Sequence, residues 1–306
     1  MRCGAVAIGN FDGVHLGHAR IIERLRAAAK RVGGPSLVFT FDPHPVRLLR
    51  PADAPPPLTW TDRKAELLTN LEVDAIIAYP TDDELLALSA RQFFERIVVE
   101  QLSAKAIVEG SNFFFGHNRE GTIEVLRKLT DASGVQLEVV DPVIVDDEVV
   151  SSSRVRRLIG AGHVEQAARF LTAPYRIRGM VVHGVGRGAK LGFPTANVDA
   201  IDTLVPGPGV YAGIGIVGHH RRGAAINIGP NPTFGEHALK VEVHLLDWHK
   251  TLYGEPLEVD FLARLRDIQR FAEPAELKAQ LQRDVASAGR MWDQHRGAPS
   301  TAAGQI

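Results

Sequence analysis

Two histidines near the start of the chain have a spacing that suits phosphate chemistry. His15 and His18 end a glycine-containing segment, residues 9–18, that follows an apolar run and precedes a predicted helix. Backbone N–H groups at a helix start and two imidazole N–H groups can donate hydrogen bonds to one phosphoryl group. Such donors would stabilise the charge that develops when pyrophosphate is displaced from the α-phosphate of ATP. An ordinary pair of surface or core histidines is the alternative that the spacing leaves open.

A second glycine-rich segment occupies residues 184–197, in the other half of the chain. Its glycines allow the backbone to pass closely around phosphates. It is not a P-loop, because no Gly-Lys-Ser/Thr follows and Pro194 would interrupt the required helix. A tight β-turn that needs positive φ is the alternative explanation of the glycines.

The bulk composition favours an enzyme that acts on small molecules. The 306-residue chain has 35 basic and 36 acidic side chains, for a formal charge of −1. It therefore lacks the excess positive charge that attracts a nucleic acid backbone or an anionic membrane. The single cysteine, Cys3, excludes an intrachain disulfide and a multi-thiolate zinc site, which is typical of a reducing compartment. Because no run of about eighteen apolar residues occurs either, we expect a cytoplasmic protein.

The order of predicted elements indicates an α/β fold with two parts. In the first half the pattern predicts strands at 5–9, 37–41, 74–79, 104–108 and 136–140, and helices at 18–31, 61–71 and 122–131. Such alternation favours a parallel sheet. After about Thr172 the pattern predicts strands at 176–182, 210–217, 224–228 and 239–246, then a helix at 274–292. These short runs, rich in glycine and proline between them, favour a small antiparallel barrel.

The string around the two histidines resembles a known signature. Gly9-Asn10-Phe11-Asp12-Gly13-Val14-His15-Leu16-Gly17-His18 is similar to the corresponding segment of bacterial bifunctional riboflavin kinases/FMN adenylyltransferases, and segments 41–45, 110–116 and 151–156 follow in that family's order. The resemblance implies a Rossmann-like nucleotidyltransferase domain with catalytic His15 and His18. It also implies nucleotide- and phosphate-binding roles for Gly9, Asn10, Asp12, Gly13, Gly17, Asn112, Ser153, Arg154 and Arg156.

Ser151 to Arg156 can also be explained physically. Hydroxyls at a helix start can cap the helix, and Arg154 and Arg156 can clamp phosphates with bidentate N–H groups. A plain helix cap with solvated arginines is the alternative. The family usually has Thr at the position of Ser153, and many members have Asp at the position of Asn112.

The second glycine segment resembles the flavokinase signature of the same family. Leu191-Gly192-Phe193-Pro194-Thr195-Ala196-Asn197 carries the resemblance, and segments 225–229, 231–235 and 241–247 continue it. It implies that Thr195 and Asn197 help to hold the Mg²⁺ of ATP, which suits a hard cation that prefers oxygen ligands. The implied ATP- and flavin-binding residues are Gly184, Gly188, Lys190, Gly192, Pro194 and Arg266.

Glu242 is the expected general base of this second site. Its carboxylate could accept the proton of the riboflavin 5′-hydroxyl as that oxygen attacks the γ-phosphate of ATP. A solvated glutamate alternating with Val241 and Val243 along a strand is the alternative. The family usually has Glu after Arg266-Asp267, whereas this chain has Ile268. Ile268 cannot form the hydrogen bond or ion pair that a Glu could form on the flavin side of the site.

Together these resemblances predict a bifunctional enzyme that makes FMN and FAD. Residues 1–172 would form the FMN adenylyltransferase domain, residues 175–293 the riboflavin kinase domain, and residues 294–306 a flexible tail. The expected partners are riboflavin, FMN and ATP with Mg²⁺, and neither nucleic acid nor membrane; the oligomeric state stays open, with a homo-oligomer among the alternatives. A nucleotidyltransferase with one activity and a flavin-binding regulatory module remain as other functions.

Overall fold

The computed structural model describes residues 3–184, 186–230 and 239–297, with the exception of the side chains of residues 187 and 190. The chain divides into two compact units. Residues 3–55 and 60–151 form the first unit, and residues 56–59 and 152–297 belong to the second. No helix among the described residues combines a membrane-spanning length with an apolar surface.

A parallel sheet of five strands forms the centre of the first unit, as the sequence predicts. The strands are β1 Ala5–Ile8, β2 Ser36–Asp42, β3 Ala75–Pro80, β4 Ala106–Gly110 and β5 Gln136–Val140. They lie in the order β3-β2-β1-β4-β5, and each neighbouring pair is parallel. All four residues of β1 are buried, as expected of a central strand in a parallel sheet.

Helices connect these strands. They are α1 Leu16–Val32, α2 Pro45–Leu49, α3 Thr61–Asn70, α4 Asp83–Ala87, α5 Ala90–Phe93 and α6 Ile123–Ser133, with a π-helical segment, Phe94–Gln101, directly after α5. Two 3-10 turns, Pro51–Asp53 and His117–Arg119, and a hairpin of β6 Ile144–Val145 and β7 Glu148–Val149 also belong to this unit.

The long helix α1 has clear start and stop signals. It begins after His15 and ends at Gly33, whose φ of 67° places it in the left-handed region that glycine adopts without strain. Lys30 and Arg31 in its last turn complement the negative end of the helix dipole. Ile22 and Leu25 are buried, so this face of the helix packs inward.

The strand order creates a crevice at the centre of the sheet. From β1 the chain continues to β2 and β3 on one side, and then returns to form β4 on the other side of β1. The connections after β1 and β4 therefore leave in opposite directions at neighbouring carboxyl ends, where sheets of this type bind ligands. The segment with the two histidines follows β1, and Asn112 follows β4.

The second unit contains a closed antiparallel barrel, which confirms the predicted barrel. It comprises α7 Ser152–Gly160, α8 Val164–Ala168, β8 Arg176–Val182, α9 Arg187–Lys190, β9 Ala196–Asp199, β10 Gly209–Val217, β11 His220–Gly229, β12 Lys240–Leu245, β13 Pro256–Arg266 and α10 Pro274–Gly297. The barrel order is β10-β11-β12-β9-β8-β13. Tyr211, Ile226, Val243, Val259 and Phe261 are buried and contribute to its core.

The structure differs from the sequence-based elements in several places. Strands β9 and β13 were not predicted, and Asn197, the last residue of the glycine-rich segment 184–197, lies in β9. Helix α10 continues to Gly297, beyond the predicted end at residue 292. Helices α7 and α8 contact the barrel: the Gly207 amide, before β10, donates to the Ile159 carbonyl of α7 at 3.0 Å, and the Arg264 amide of β13 donates to Glu165 Oε1 of α8 at 2.7 Å. The division into functional domains at residues 172–175 stays a prediction.

Candidate active sites

His15 and His18 form a capping box at the start of α1. The His18 amide donates to His15 Nδ1 and the His15 amide donates to His18 Nδ1, each at 3.3 Å. The two imidazoles stack, with ring centroids 3.6 Å apart and planes 12° from parallel. Because each ring uses its Nδ1 as a backbone acceptor, the remaining proton of a neutral imidazole is on Nε2. The helix cap therefore places the N–H of each neutral ring on Nε2.

His18 is held in the neutral form. Desolvation lowers the pKa of His18 well below its ordinary value, and electrostatic interactions with His15 and Lys64 lower it further. A neutral His18 also fits its role as an acceptor of the His15 amide. His18 can thus donate a hydrogen bond without carrying a positive charge, and Lys64 is the lysine in its neighbourhood.

The turn between β1 and α1 has an unusual backbone. Phe11, Gly13 and Val14 have φ values of 47°, 83° and 39°. Positive φ is rare for a β-branched residue, so Val14 stores backbone strain in this turn, where it is fully buried. Asp12 is also buried. Strained backbone of this kind is concentrated at functional sites, which makes the turn a candidate ligand-binding segment.

Two glycines of this segment are closely approached by aromatic rings. A Cβ at Gly17 would lie 3.1 Å from both Cε1 and Nδ1 of His15, and a Cβ at Gly9 would lie 3.3 Å from the Phe11 ring. The absence of a side chain at Gly17 therefore allows His15 to take its position against the helix. This is a physical reason for the glycine between the two histidines.

The neighbouring strand β4 contributes Asn112 and a buried acid. A Cβ at Gly110 would meet Asn112 Oδ1 at 3.2 Å, so the exposed Asn112 folds back over the end of β4. Glu109 Oε1 accepts the Ile8 amide at 2.6 Å. Burial raises the pKa of the Glu109 carboxyl well above its usual range, an effect that the Ile8 amide opposes. Glu109 thereby accepts a hydrogen bond from the backbone N–H at the end of β1, next to the crevice.

The predicted Ser-Arg segment lies on α7, in the second unit. Ser153 is exposed and Arg154 and Arg156 are half-buried. Arg154 stacks over Phe170 at 5.9 Å, and Arg156 Nε donates to the Pro56 carbonyl at 2.9 Å. The assignment of these three residues to ATP phosphates stays a prediction.

The barrel places three polar side chains in one row. Glu242 on β12 pairs with Asn197 on β9 and with Asn227 on β11, and Asn227 Nδ2 donates to Glu242 Oε2 at 3.2 Å. All three are half-buried, and they alternate with the buried core residues Val241 and Val243. The row is thus on the outer face of the barrel sheet, and Asn227 fixes the orientation of the Glu242 carboxylate.

The glycine segment passes closely over this row. A Cβ at Gly184 would lie 2.0 Å from Asn197 Nδ2, and a Cβ at Gly188 would lie 2.4 Å from the Phe193 carbonyl and 3.4 Å from Thr195 Oγ1. Neither glycine can be replaced without displacing Asn197 or the backbone before Thr195. Gly192 has a φ of 91°, which requires glycine at the end of the short helix α9.

A histidine holds the other end of the segment. His244 Nδ1 lies 2.8 Å from the Pro194 carbonyl, to which it must donate because a carbonyl oxygen only accepts. Phe193 packs edge-on against the same imidazole at 5.7 Å. These contacts fix the backbone on which Thr195 is carried. Thr195 and Asn197 offer neutral oxygen ligands, and no cluster of three His, Cys, Asp or Glu side chains suited to a metal occurs in the described ranges.

A cavity in the barrel unit joins this row to helix α10. Arg266 reaches into its wall but is bound by Asp284: Nε lies 3.1 Å from both carboxylate oxygens and NH2 lies 2.7 Å from Oδ2. Ile268 packs against Gly229, where a Cβ would meet its Cγ1 at 3.1 Å. The cavity lining includes Thr195, Asn197, Asn227, Glu242, Arg266, Ile268, Leu277, Leu281 and Val285.

Two sequence-based assignments lie outside what the structure describes. They are the side chain of Lys190 and the segment 231–235. Conversely, the sequence analysis did not single out three residues that interact with the candidate site residues: Lys64 near His18, Asn227 beside Glu242 and Asp284 beside Arg266. A lysine on the buried face of an amphipathic helix was the available signal for Lys64, whereas only strand register brings Asn227 beside Glu242.

The chain matches two protein families, one in each half. Residues 2–154 match the FAD synthetase family and residues 171–292 match the riboflavin kinase family. The bifunctional riboflavin kinase/FMN adenylyltransferase of Pseudomonas fluorescens is 40% identical over 288 residues, which cover 93% of this chain and 92% of that protein. The Escherichia coli K12 protein of the same name is 35% identical over 286 residues, covering 92% and 91%. A crystal structure described as a macrolide-efflux protein from Streptococcus pneumoniae has 30% identity and a TM-score of 0.82, with 94% of both chains covered.

Proposed function

The chain belongs to the family of bifunctional riboflavin kinases/FMN adenylyltransferases, and we propose that it makes both FMN and FAD at two separate sites. One ATP phosphorylates riboflavin to FMN, and a second ATP adenylylates FMN to FAD with release of pyrophosphate. The family's two signatures lie on two structural units, each with its polar groups already oriented. This observation carries the assignment of two sites.

The barrel unit is the riboflavin kinase. Glu242 accepts the proton of the riboflavin 5′-hydroxyl as that oxygen attacks the γ-phosphate, and ADP leaves. Asn227 holds the carboxylate in place through its 3.2 Å hydrogen bond. The flavin occupies the cavity beside Ile268, Leu281 and Val285, whose apolar surfaces suit a planar ring system.

Mg²⁺ is the metal that the kinase site fits. The hydroxyl of Thr195 and the side-chain carbonyl of Asn197 would hold it together with ATP phosphate oxygens, since Mg²⁺ prefers oxygen ligands and keeps several waters. When bound, the ion neutralises charge on the phosphates. Gly184 and Gly188 have no Cβ, which allows the Asn197 side chain and the backbone before Thr195 to take these positions.

The parallel-sheet unit is the FMN adenylyltransferase. A phosphate oxygen of FMN attacks the α-phosphate of ATP, and the bond to the β-phosphate breaks as pyrophosphate leaves. The Nε2–H groups of His15 and His18 donate hydrogen bonds to the phosphoryl oxygens, where negative charge grows. Gly9, Asn10, Asp12, Gly13 and Gly17 shape the turn around these phosphates, and Asn112 lines the same edge of the sheet. We place both reactions in the cytoplasm.

A time course with two variants tests this proposal. Wild-type protein incubated with riboflavin, ATP and magnesium chloride should form FMN first and then FAD, as followed by chromatography with fluorescence detection. Glu242→Gln should form no FMN but should still convert supplied FMN to FAD, and His18→Ala should stop at FMN. If either folded variant loses both activities, two separate sites would be excluded.

A further inference from the structure

A buried lysine lies beside the histidine pair. Lys64, in the first turn of α3, is only 9% exposed. Its Nζ donates to Thr40 Oγ1 at 3.3 Å, and Thr40 Oγ1 donates in turn to the Asn10 carbonyl at 3.2 Å. This chain of hydrogen bonds connects the ammonium group to the turn that precedes His15. Lys64 is therefore part of the crevice end of the sheet and not of the outer surface of α3.

The surroundings of Lys64 leave its amine short of hydrogen-bond acceptors. Burial lowers the pKa of the amine, and the nearby carboxylates of Asp12 and Asp42 oppose this effect. An ammonium has three N–H donors, but in the described part of the chain Lys64 donates only to the Thr40 hydroxyl. Buried donors without acceptors are unfavourable, so the remaining N–H groups indicate a ligand that accepts hydrogen bonds.

The charge balance of the histidine site indicates what this ligand is. The leaving pyrophosphate gains negative charge, yet His18 is kept neutral and contributes only a dipole. Lys64 also lowers the pKa of His18. Its amine is connected through Thr40 to the Asn10 carbonyl in the turn before His15, so its ammonium form can supply the positive charge that the imidazole lacks.

We propose that Lys64 is a phosphate-contacting residue of adenylyl transfer, whose ammonium donates hydrogen bonds to the triphosphate of ATP and to the pyrophosphate that leaves. This inference rests on the proposed FMN adenylyltransferase function. It assigns to α3 a direct part in catalysis that no sequence motif indicates. The alternative is a structural lysine that acts only by holding the turn through Thr40.

Four variants separate these two roles. Lys64→Met removes the charge with little change in length, and Lys64→Arg keeps the charge. Thr40→Val removes the hydrogen bond between Lys64 and the turn but leaves the ammonium. Lys105→Met is the matched control, because Lys105 is exposed and precedes β4, at the opposite end of the strand from Asn112.

The measurement is FAD formation from supplied FMN and ATP, together with its inhibition by inorganic pyrophosphate. We expect Lys64→Met to lower kcat/KM about 100-fold, the order found when one donor to a transition-state charge is removed. The inhibition constant of pyrophosphate should rise at least about 10-fold, since one charged contact to it is lost. Lys64→Arg, Thr40→Val and Lys105→Met should retain most of the activity and the inhibition. Riboflavin phosphorylation in the barrel unit should stay unchanged in all four variants, and urea unfolding followed by circular dichroism checks that the parallel-sheet unit is folded.

Two results would overturn the inference alone. One is a Lys64→Met protein that makes FAD and binds pyrophosphate as the wild type does. The other is an equal loss in Lys64→Met and Thr40→Val, which would make Lys64 a structural residue. If wild-type protein formed no FAD from FMN, the adenylyltransferase function would fail and this role of Lys64 with it.

Discussion

Gly17→Ala is a small change with a specific expected effect on FAD formation. The added Cβ would lie 3.1 Å from two atoms of the His15 ring, closer than the ordinary contact distance, so the imidazole must move by a few tenths of an ångström. A displacement of 1 Å at a reacting group can cost about 100-fold in rate, so a shift of this size should cost on the order of 10-fold. The substitution should thus reduce the rate without removing any donor.

The stability of the variant should change in the opposite direction. Gly17 is the second residue of α1, and alanine is favoured over glycine in helices by up to about 1 kcal/mol. We therefore expect a free energy of unfolding no lower than that of the wild type. A fall in FAD formation cannot then be attributed to unfolding.

Steady-state kinetics of FAD formation from FMN, with urea unfolding in parallel, provide the assay. Gly289→Ala on α10 is the matched control, because its Cβ would meet Leu246 Cδ1 at an ordinary 3.7 Å. That variant should keep its rate of FAD formation. Wild-type kinetics in Gly17→Ala would refute the argument that the position of His15 against α1 sets the rate.

Three further predictions follow from the same contacts. Gly184→Ala places a Cβ 2.0 Å from the amide of Asn197, so riboflavin phosphorylation should fall at least about 10-fold while FAD formation from FMN is retained; unchanged kinase kinetics would contradict this. By NMR titration, His18 should stay neutral as the pH falls through about 6.5, and a normal titration near this pH would contradict the capping geometry. Because the imidazole of His18 is protonated in the unfolded chain before it is protonated in the folded protein, the contribution of His18 to the free energy of unfolding should decrease below this pH. Asp284→Asn leaves the Arg266 charge unpaired and should lower the free energy of unfolding by about 3 kcal/mol in urea, with a change below about 1 kcal/mol counting against a structural ion pair.

The sequence predicted the central elements of the fold because their signals are local. Strand β5 and strand β8 were predicted with their observed ends, and helix α1 to within two residues. These segments have strong apolar periodicity or clear caps. Strand β9 was missed because it is only four residues long and follows a glycine-rich segment that favours a turn.

The parts of the sites that could not be predicted depend on contacts between distant segments. Asn227 and Glu242 are brought together by antiparallel register, and Arg266 and Asp284 by the packing of α10 on the barrel. The resemblance implied an ATP- or flavin-binding role for Arg266, which stays a prediction, and the structure adds that Asp284 holds its guanidinium. Lys64 reaches the turn before α1 only because β2 lies next to β1. Nothing in the local sequence around these residues reveals their partners.

Complementation between two inactive variants tests the two-site account most directly. Glu242→Gln and His18→Ala are each incubated with riboflavin, ATP and magnesium chloride, alone and mixed in equal amounts, and FMN and FAD are followed by chromatography. The account predicts no flavin nucleotide from Glu242→Gln alone, FMN only from His18→Ala alone, and FAD from the mixture, as released FMN passes from one protein to the other. A mixture of folded variants that accumulates FMN without forming FAD, or FAD formed by either variant alone from riboflavin, would contradict it.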